Sequence, residues 1–354
     1  MITAVVILVG AAAAGLIGAT AGWIPRPAWM RRRHAVTVLV LVTAAIGLLT
    51  VLQDVHDRSA PKAPDTRVPQ PAELADLRVL TLDDSAGRPI LFSSKGDGSG
   101  RQPIIDPVGL PLAPTADGQA LIGVEHEVDS SHVVVFDLQG DLIRRLTSAT
   151  AWVKDTSPTV ATGQVYFIRE FWRDQGEGVS AMTGTAVMSV PLKGGTARRV
   201  PTSGREFRSI SASTAGRTLA GVCVAGHGPL QACLLNPRTG TAQHLGISTN
   251  ATVSDIAMSP DGTRFAYSSP STNPYGAEQI HVYDVSSKDD LRLTAESGKN
   301  SAPSWIPNTT CVSYAHYERP TGSSIHYSCL ASPGVSHTLL PVGSSPLWLP
   351  PPHG

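Results

Sequence analysis

The chain carries none of the short motifs that mark the commonest hydrolases and phosphate binders. No G-x-S-x-G nucleophile elbow is present, and no α/β region that would hold one follows the repeats, so a propeller-capped peptidase is not expected. H-E-x-x-H, an EF-hand loop and a phosphate-cradling glycine loop are also missing. The glycine-rich run Lys95-Gly96-Asp97-Gly98-Ser99-Gly100 lies between two short apolar segments and reads as a turn. Formal net charge is zero, with arginines scattered along the chain, so there is no basic footprint for nucleic acid. Cysteines number four, and neither of their pairings has the close C-x-x-C spacing of structural zinc.

What the sequence does have is a repeat. Between residues 72 and 350 a short apolar strand, a turn, a second strand, a loop, a third strand and a polar turn recur at intervals of 40 to 50 residues. The clearest turn is Ser259-Pro260-Asp261-Gly262, in which Pro presets φ, Asp bonds back to the main chain and Gly accepts positive φ. Weaker copies are Thr115-Ala116-Asp117-Gly118, Ala161-Thr162-Gly163, Thr214-Ala215-Gly216 and Ile306-Pro307-Asn308-Thr309. Second strands are predicted at 120–124, 165–168, 218–224, 264–268 and 311–317, and third strands at 132–136, 185–190, 231–235, 279–283 and 324–330. Asp137, Asn236 and Asp284 follow three of the third strands and predict Asx-type turns. At the ends, 77–83, 88–93 and 101–105 read as three strands lacking a first, and 345–350 as a first strand with no followers. Joining them completes a sixth unit and removes the free edge. The expected fold is therefore all-β: a six-bladed β-propeller of four-stranded blades over residues 74–350, with a tail at 351–354.

Trp305-Ile306-Pro307, Trp348-Leu349-Pro350 and Met258-Ser259-Pro260-Asp261-Gly262 resemble the tryptophan, serine, proline, aspartate and glycine repeat of TolB-type six-bladed propellers. The resemblance covers about residues 72–350, and in blades two to four only the turn and strand pattern persists. It implies the fold, with Trp305 and Trp348 packing between blades. TolB itself belongs to an envelope complex that reaches peptidoglycan-associated partners. The architecture hosts scaffolds, ligand binders and enzymes alike, so these partners do not transfer with it.

Residues 1–53 read as a membrane anchor. Segments 2–24 and 35–52 are uncharged apolar stretches, the first long enough to cross a bilayer and the second near the lower limit. Between them, loop 25–34 contains Arg26, Arg31, Arg32 and Arg33 and is expected in the cytoplasm, which places the propeller outside. Gly18 and Gly22 form a small-xxx-small pair that would let the two helices approach. If translation starts instead at Met30, the same residues form a basic n-region and a single anchor or signal sequence, and the propeller stays on the same side. Residues 54–73, rich in proline, predict an extended stalk.

Cys223 and Cys233, on the second and third strands of blade four, and Cys311 and Cys329, on those of blade six, are each placed to bridge one hairpin. Such disulfides persist in oxidising, extracytoplasmic space. The plasma membrane of a bacterium, with the propeller outside, is the expected location.

Loops between second and third strands gather on one face. The longest, 169–184, carries Arg169, Phe171, Trp172 and Arg173 and predicts a protein-binding surface. On the same face Glu125, His126, Glu127 and Asp129 are of the residue types that ligate metals. Alternation along an extended chain separates His126 from the two glutamates, so no metal site is expected there. These observations predict a non-catalytic scaffold, without cofactor, for an envelope or membrane protein. The alternatives are a propeller enzyme, or a sensor of a small ligand or glycan with its site at the central channel.

Overall fold

Short β-branched and aromatic runs bounded by Gly, Pro, Asp and Ser dictate strands, and strands are what form. The computed structural model describes residues 67–83, 90–105, 111–148, 150–176, 179–213, 216–224, 228–247, 252–270, 277–319 and 322–351. The predicted anchor, residues 54–66 of the stalk and the last three residues lie outside them. No helix of the described residues is long and apolar enough to cross a membrane.

The described strands form six antiparallel meanders of four. The first comprises Arg78–Asp83, Ile90–Lys95 and Gln102–Ile105, completed by the C-terminal strand Ser344–Trp348. The second is Ala113–Pro114, Ala120–His126, Ser131–Asp137 and Leu142–Arg145, and the third is Val153–Ala161, Gln164–Gly176, Val179–Pro191 and Arg198–Arg199. Next come Glu206–Ala212, Leu219–Val224, Gln231–Leu235 and Ala242–His244, then Ile256–Met258, Arg264–Pro270, Glu278–Asp284 and Asp290–Arg292. The sixth is Lys299–Trp305, Cys311–Glu318, Gly322–Cys329 and His337–Leu340. Meanders two and three are joined by one parallel pair, Ser131 with Lys154, and five and six by another, Glu278 with Lys299. The expected closure holds: Val79 pairs with Trp348 and Leu80 with Leu347.

Alternation along each strand sends successive side chains to opposite neighbours, which makes the core a cycle of interfaces. In the fourth meander Leu219 and Cys223 pack against Tyr166 and Ile168 of the third, while Ala220 and Val222 pack against Phe265 and Tyr267 of the fifth. Leu121 meets Leu80 and Leu349 of the first meander, and Ile122 meets Val165 and Phe167 of the third. The last two interfaces join Ile280 and Val282 to Val312 and Tyr314, and Ile325 and Tyr327 to Val79 and Trp348. Each fully buried large apolar side chain in this cycle contributes about 1.5–3 kcal/mol.

The resemblance placed Trp305 and Trp348 between blades, and both bond across a junction. Trp305 Nε1 donates to the Ala257 carbonyl (2.9 Å), and Trp348 Nε1 to Ser313 Oγ (2.8 Å). The predicted turn at 259–262 forms as read, whereas that at 214–216 lies partly outside the described residues. Ser259 Oγ donates to Asp261 Oδ1 (2.6 Å) and accepts from Arg264 N (2.9 Å), with Gly262 at φ 73°. Thr115, Asp117 and Gly118 reproduce that arrangement. Asp137, Asn236 and Asp284 each accept backbone N–H bonds from residues two to four ahead. The glycine run at 95–100 closes on itself, Lys95 N donating to the Ser99 carbonyl (2.9 Å).

Both predicted disulfides are present, and all four cysteines are fully buried. Cys311 and Cys329 are direct cross-strand partners, whereas Cys223 and Cys233 are offset by two residues. Before the first strand the chain is already packed: Pro69 is buried and its carbonyl accepts from Tyr327 Oη (2.9 Å). The short 3-10 turn Pro71–Leu74 seats Leu74 in the core. Its carbonyl lies so close to Gly96 that a Cβ there would meet it at 2.2 Å, so only glycine fits.

Candidate functional site

The segment 169–184, read from sequence as a loop, is a two-stranded arm. Gln164–Gly176 and Val179–Pro191 pair along most of their length, from Gln164 with Pro191 to Gly176 with Val179. Both have 13 residues, against 6 and 5 for the corresponding strands of the fourth meander. The polar composition concealed this, because a strand exposed on both faces shows no apolar alternation. The predicted surface residues divide along the arm. Arg169, at its base, turns inward and makes two bonds to Asp155 (2.7 and 2.9 Å), whose side chain is fully buried. Trp172 is held by Glu170 (Nε1 to Oε2, 3.0 Å) and stacked by Lys154. Phe171 is 40% exposed, Val179 is 55% exposed and Arg173 is exposed, so the outer arm faces solvent.

Glu125 and Glu127 are engaged rather than poised for a metal. Glu125 pairs with Arg145, and Glu127 Oε1 lies 3.0 Å from His132 Nε2, while His126 is exposed.

A central cavity of about 530 Å³ is lined by the innermost strands of all six meanders. Ser157, Ala302 and Ser345 enter it at corresponding bulges, each at φ 50° and each preceding a proline. Asp255 is the one titratable residue among its described lining. Its Oδ2 is used structurally, accepting from Ser268 Oγ and Ala302 N (both 3.1 Å). The described walls are otherwise proline, alanine, serine, threonine, Asn308 and larger apolar side chains.

A polar cluster that the sequence reading missed lies at the junction of meanders five and six. Glu296, on the link between them, meets His316 and His326 on adjacent strands. Glu296 Oε1 accepts from Tyr314 Oη (2.9 Å) and lies 3.7 Å from His316 Nδ1, and Oε2 lies 3.8 Å from His326 Nδ1. Burial pushes the Glu296 carboxyl up, but bonds from His326, Ser336 and Tyr314 outweigh it and hold the group below the usual range. His316 Nδ1 contacts Asn300 Oδ1 (2.8 Å), and His326 is flanked by Ser324 and Ser336 (3.1 and 3.0 Å). One signal was available: the Cys311–Cys329 pairing puts Tyr314 opposite His326 and His316 beside it. Nothing in the sequence placed Glu296 with them.

No protein-family model matches the chain, and no curated protein matches it. Solved structures show the fold, which is that of a TolB-like β-propeller. TolB from Acinetobacter baumannii superposes with a TM-score of 0.60 at 16% identity, covering 80% of this chain and 68% of that one. The putative TolB from Agrobacterium tumefaciens gives 0.52 at 14% identity, covering 75% and 88%. A puromycin hydrolase S511A mutant complexed with PGG gives 0.50 at 13% identity, covering 79% and 56%. This last likeness corrects the expectation that the chain is not an enzyme. The same propeller fold occurs in a hydrolase, so the missing motifs on which that expectation rested do not exclude catalysis.

Proposed function

We propose that the chain is a membrane-anchored, extracytoplasmic propeller of six four-stranded blades that serves as a binding platform for another protein of the bacterial cell envelope. The two buried disulfides support an oxidising compartment, and the apolar segments 2–24 and 35–52 supply the anchor. The observation that carries the binding role is the arm. Its outer half orders backbone at a cost of about 1–2 kcal/mol per residue while burying little apolar surface of its own. A projecting arm that mixes Phe171 and Val179 with Arg173 and Asp174 has the composition of a recognition element.

Photo-crosslinking in cells tests this reading. A crosslinker at Phe171 or Val179 should capture a discrete envelope protein, and one at Leu142, equally exposed on an outer strand, should not. Equal capture at all three positions, or none at any, would sink the proposal. A second reading rests on the cavity, whose size falls within the roughly 300–1,000 Å³ of small-molecule sites. Ligands retained by the purified protein and lost on Ala257→Trp would favour it.

A further inference from the structure

We propose that Glu296, His316 and His326 form a binding site for a zinc-class divalent cation, with one coordination position left open. Three separate elements converge to make it: the link after the fifth meander and two neighbouring strands of the sixth. One ligand atom from each residue lies within 4.8 Å of the others. A tetrahedral ion about 2.0–2.1 Å from each ligand needs ligand atoms roughly 3.3 Å apart. The 3.7 and 3.8 Å separations run to different oxygens, His316 Nδ1 to Oε1 and His326 Nδ1 to Oε2, so holding one ion requires the three ligand atoms, now within 4.8 Å of one another, to draw inward by up to about 1.5 Å.

The lone-pair inventory also suits a cation. A carboxylate only accepts, and each neutral imidazole presents one lone pair. With Nε2–H of His326 donated to Ser324, its Nδ1 presents a lone pair on the Glu296 side and reaches the ion by exchanging its contact with Ser336 Oγ (3.0 Å). His316 Nδ1 reaches the ion by exchanging its contact with Asn300 Oδ1. Tyr314, bonded to Glu296 Oε1, is the outer partner that orients the carboxylate. The three side chains are 21%, 9% and 16% exposed for Glu296, His316 and His326, screened from bulk water yet reachable from it. Two imidazoles and one carboxylate form a donor set suited to zinc, and three protein ligands leave the fourth position to water or an incoming group.

The fold does not require this cluster. At the matching junction of meanders two and three, Arg169 pairs in register with Asp155 where His316 pairs with Asn300. Phe167 and Met188 there occupy the places of Tyr314 and His326. An apolar and ion-paired filling closes that junction, so two histidines and a glutamate at its counterpart need another reason.

The test uses the full chain, without a polyhistidine tag, solubilised in detergent, stripped with chelator and titrated with Zn²⁺. One equivalent should bind and raise the melting temperature, and X-ray absorption should report nitrogen and oxygen ligands near 2.0–2.1 Å. Glu296→Gln and His326→Gln should each weaken binding by more than the roughly 10–100-fold lost with an outer partner. Absence of stoichiometric zinc binding by the folded wild-type chain would overturn the proposal. So would binding that both variants retain unchanged. Glu296→Gln preserves shape, so it carries the test alone if the histidine variant does not fold.

Discussion

Between meanders two and three, and again between five and six, a threonine latches the end of one meander to the next. Thr147 Oγ1 accepts from Val133 N and donates to Asp155 Oδ2 (2.9 and 2.6 Å). Thr294 Oγ1 accepts from Ile280 N and donates to Gln279 Oε1 (2.9 and 2.8 Å), with Asn300 Nδ2 nearby. The parallel pair beside each latch is the same. What differs is the register pair behind it: a buried carboxylate gripped by arginine at one junction, an amide against histidine at the other. The backbone thus sets the junction, and the register pair decides whether it is sealed or left available for a ligand. A sealed ion pair is tolerated because Arg169 grips the carboxylate with two bonds and Thr147 adds a third, whereas an orphaned charge would be costly.

Breaking the sealed junction should have the largest effect. Asp155→Ala leaves Arg169 without its carboxylate and Thr147 without its acceptor, and should cost about 3–5 kcal/mol in denaturant unfolding. If the loss is under about 1 kcal/mol, the ion pair is not what closes the junction. The sixth meander is clamped by a disulfide and the third is not. Cys311→Ser with Cys329→Ser should therefore cost about 2–4 kcal/mol. Hydrogen exchange should quicken in the sixth meander and not in the third, and uniform quickening would deny that the clamp acts locally.

Asn300→Ala, the counterpart of the first variant, should cost less, about 1–2 kcal/mol, because amide hydrogen bonds and no arginine–carboxylate pair are lost. Equal losses at the two junctions would erase the distinction drawn between them. The smallest effect concerns a surface carboxylate, in contrast to buried Asp155. The Ser286 hydroxyl and Ser287 N–H, with Arg264 adding, hold Asp284 down to about 2. Because its folded value lies below the unfolded one, its contribution is present above about pH 4 and is lost as pH falls through 2. The melting-temperature drop between pH 5 and pH 2.5 should shrink slightly in Asp284→Asn, which keeps the turn's acceptor. An unchanged drop would show that the carboxylate adds nothing.

The sequence by itself determined the strands, the turns and the closure. Gln231–Leu235 is the predicted strand residue for residue, the Pro260-Asp261-Gly262 turn forms, the cysteines pair as read, and the C-terminal strand completes the first meander. The strands, turns and hairpin disulfides rest on local physics, namely alternation, φ preference and turn hydrogen bonding, and the closure on two incomplete repeats at the ends that complement each other. Only the tertiary structure decided that 169–184 is a paired arm, that Arg169 turns inward to Asp155, and that Glu296 meets two histidines. Each depends on which residues face one another across strands far apart in the chain. A two-sided polar strand carries no pattern that fixes its pairing, and a carboxylate on a link acquires neighbours only when the meanders on either side of it have packed.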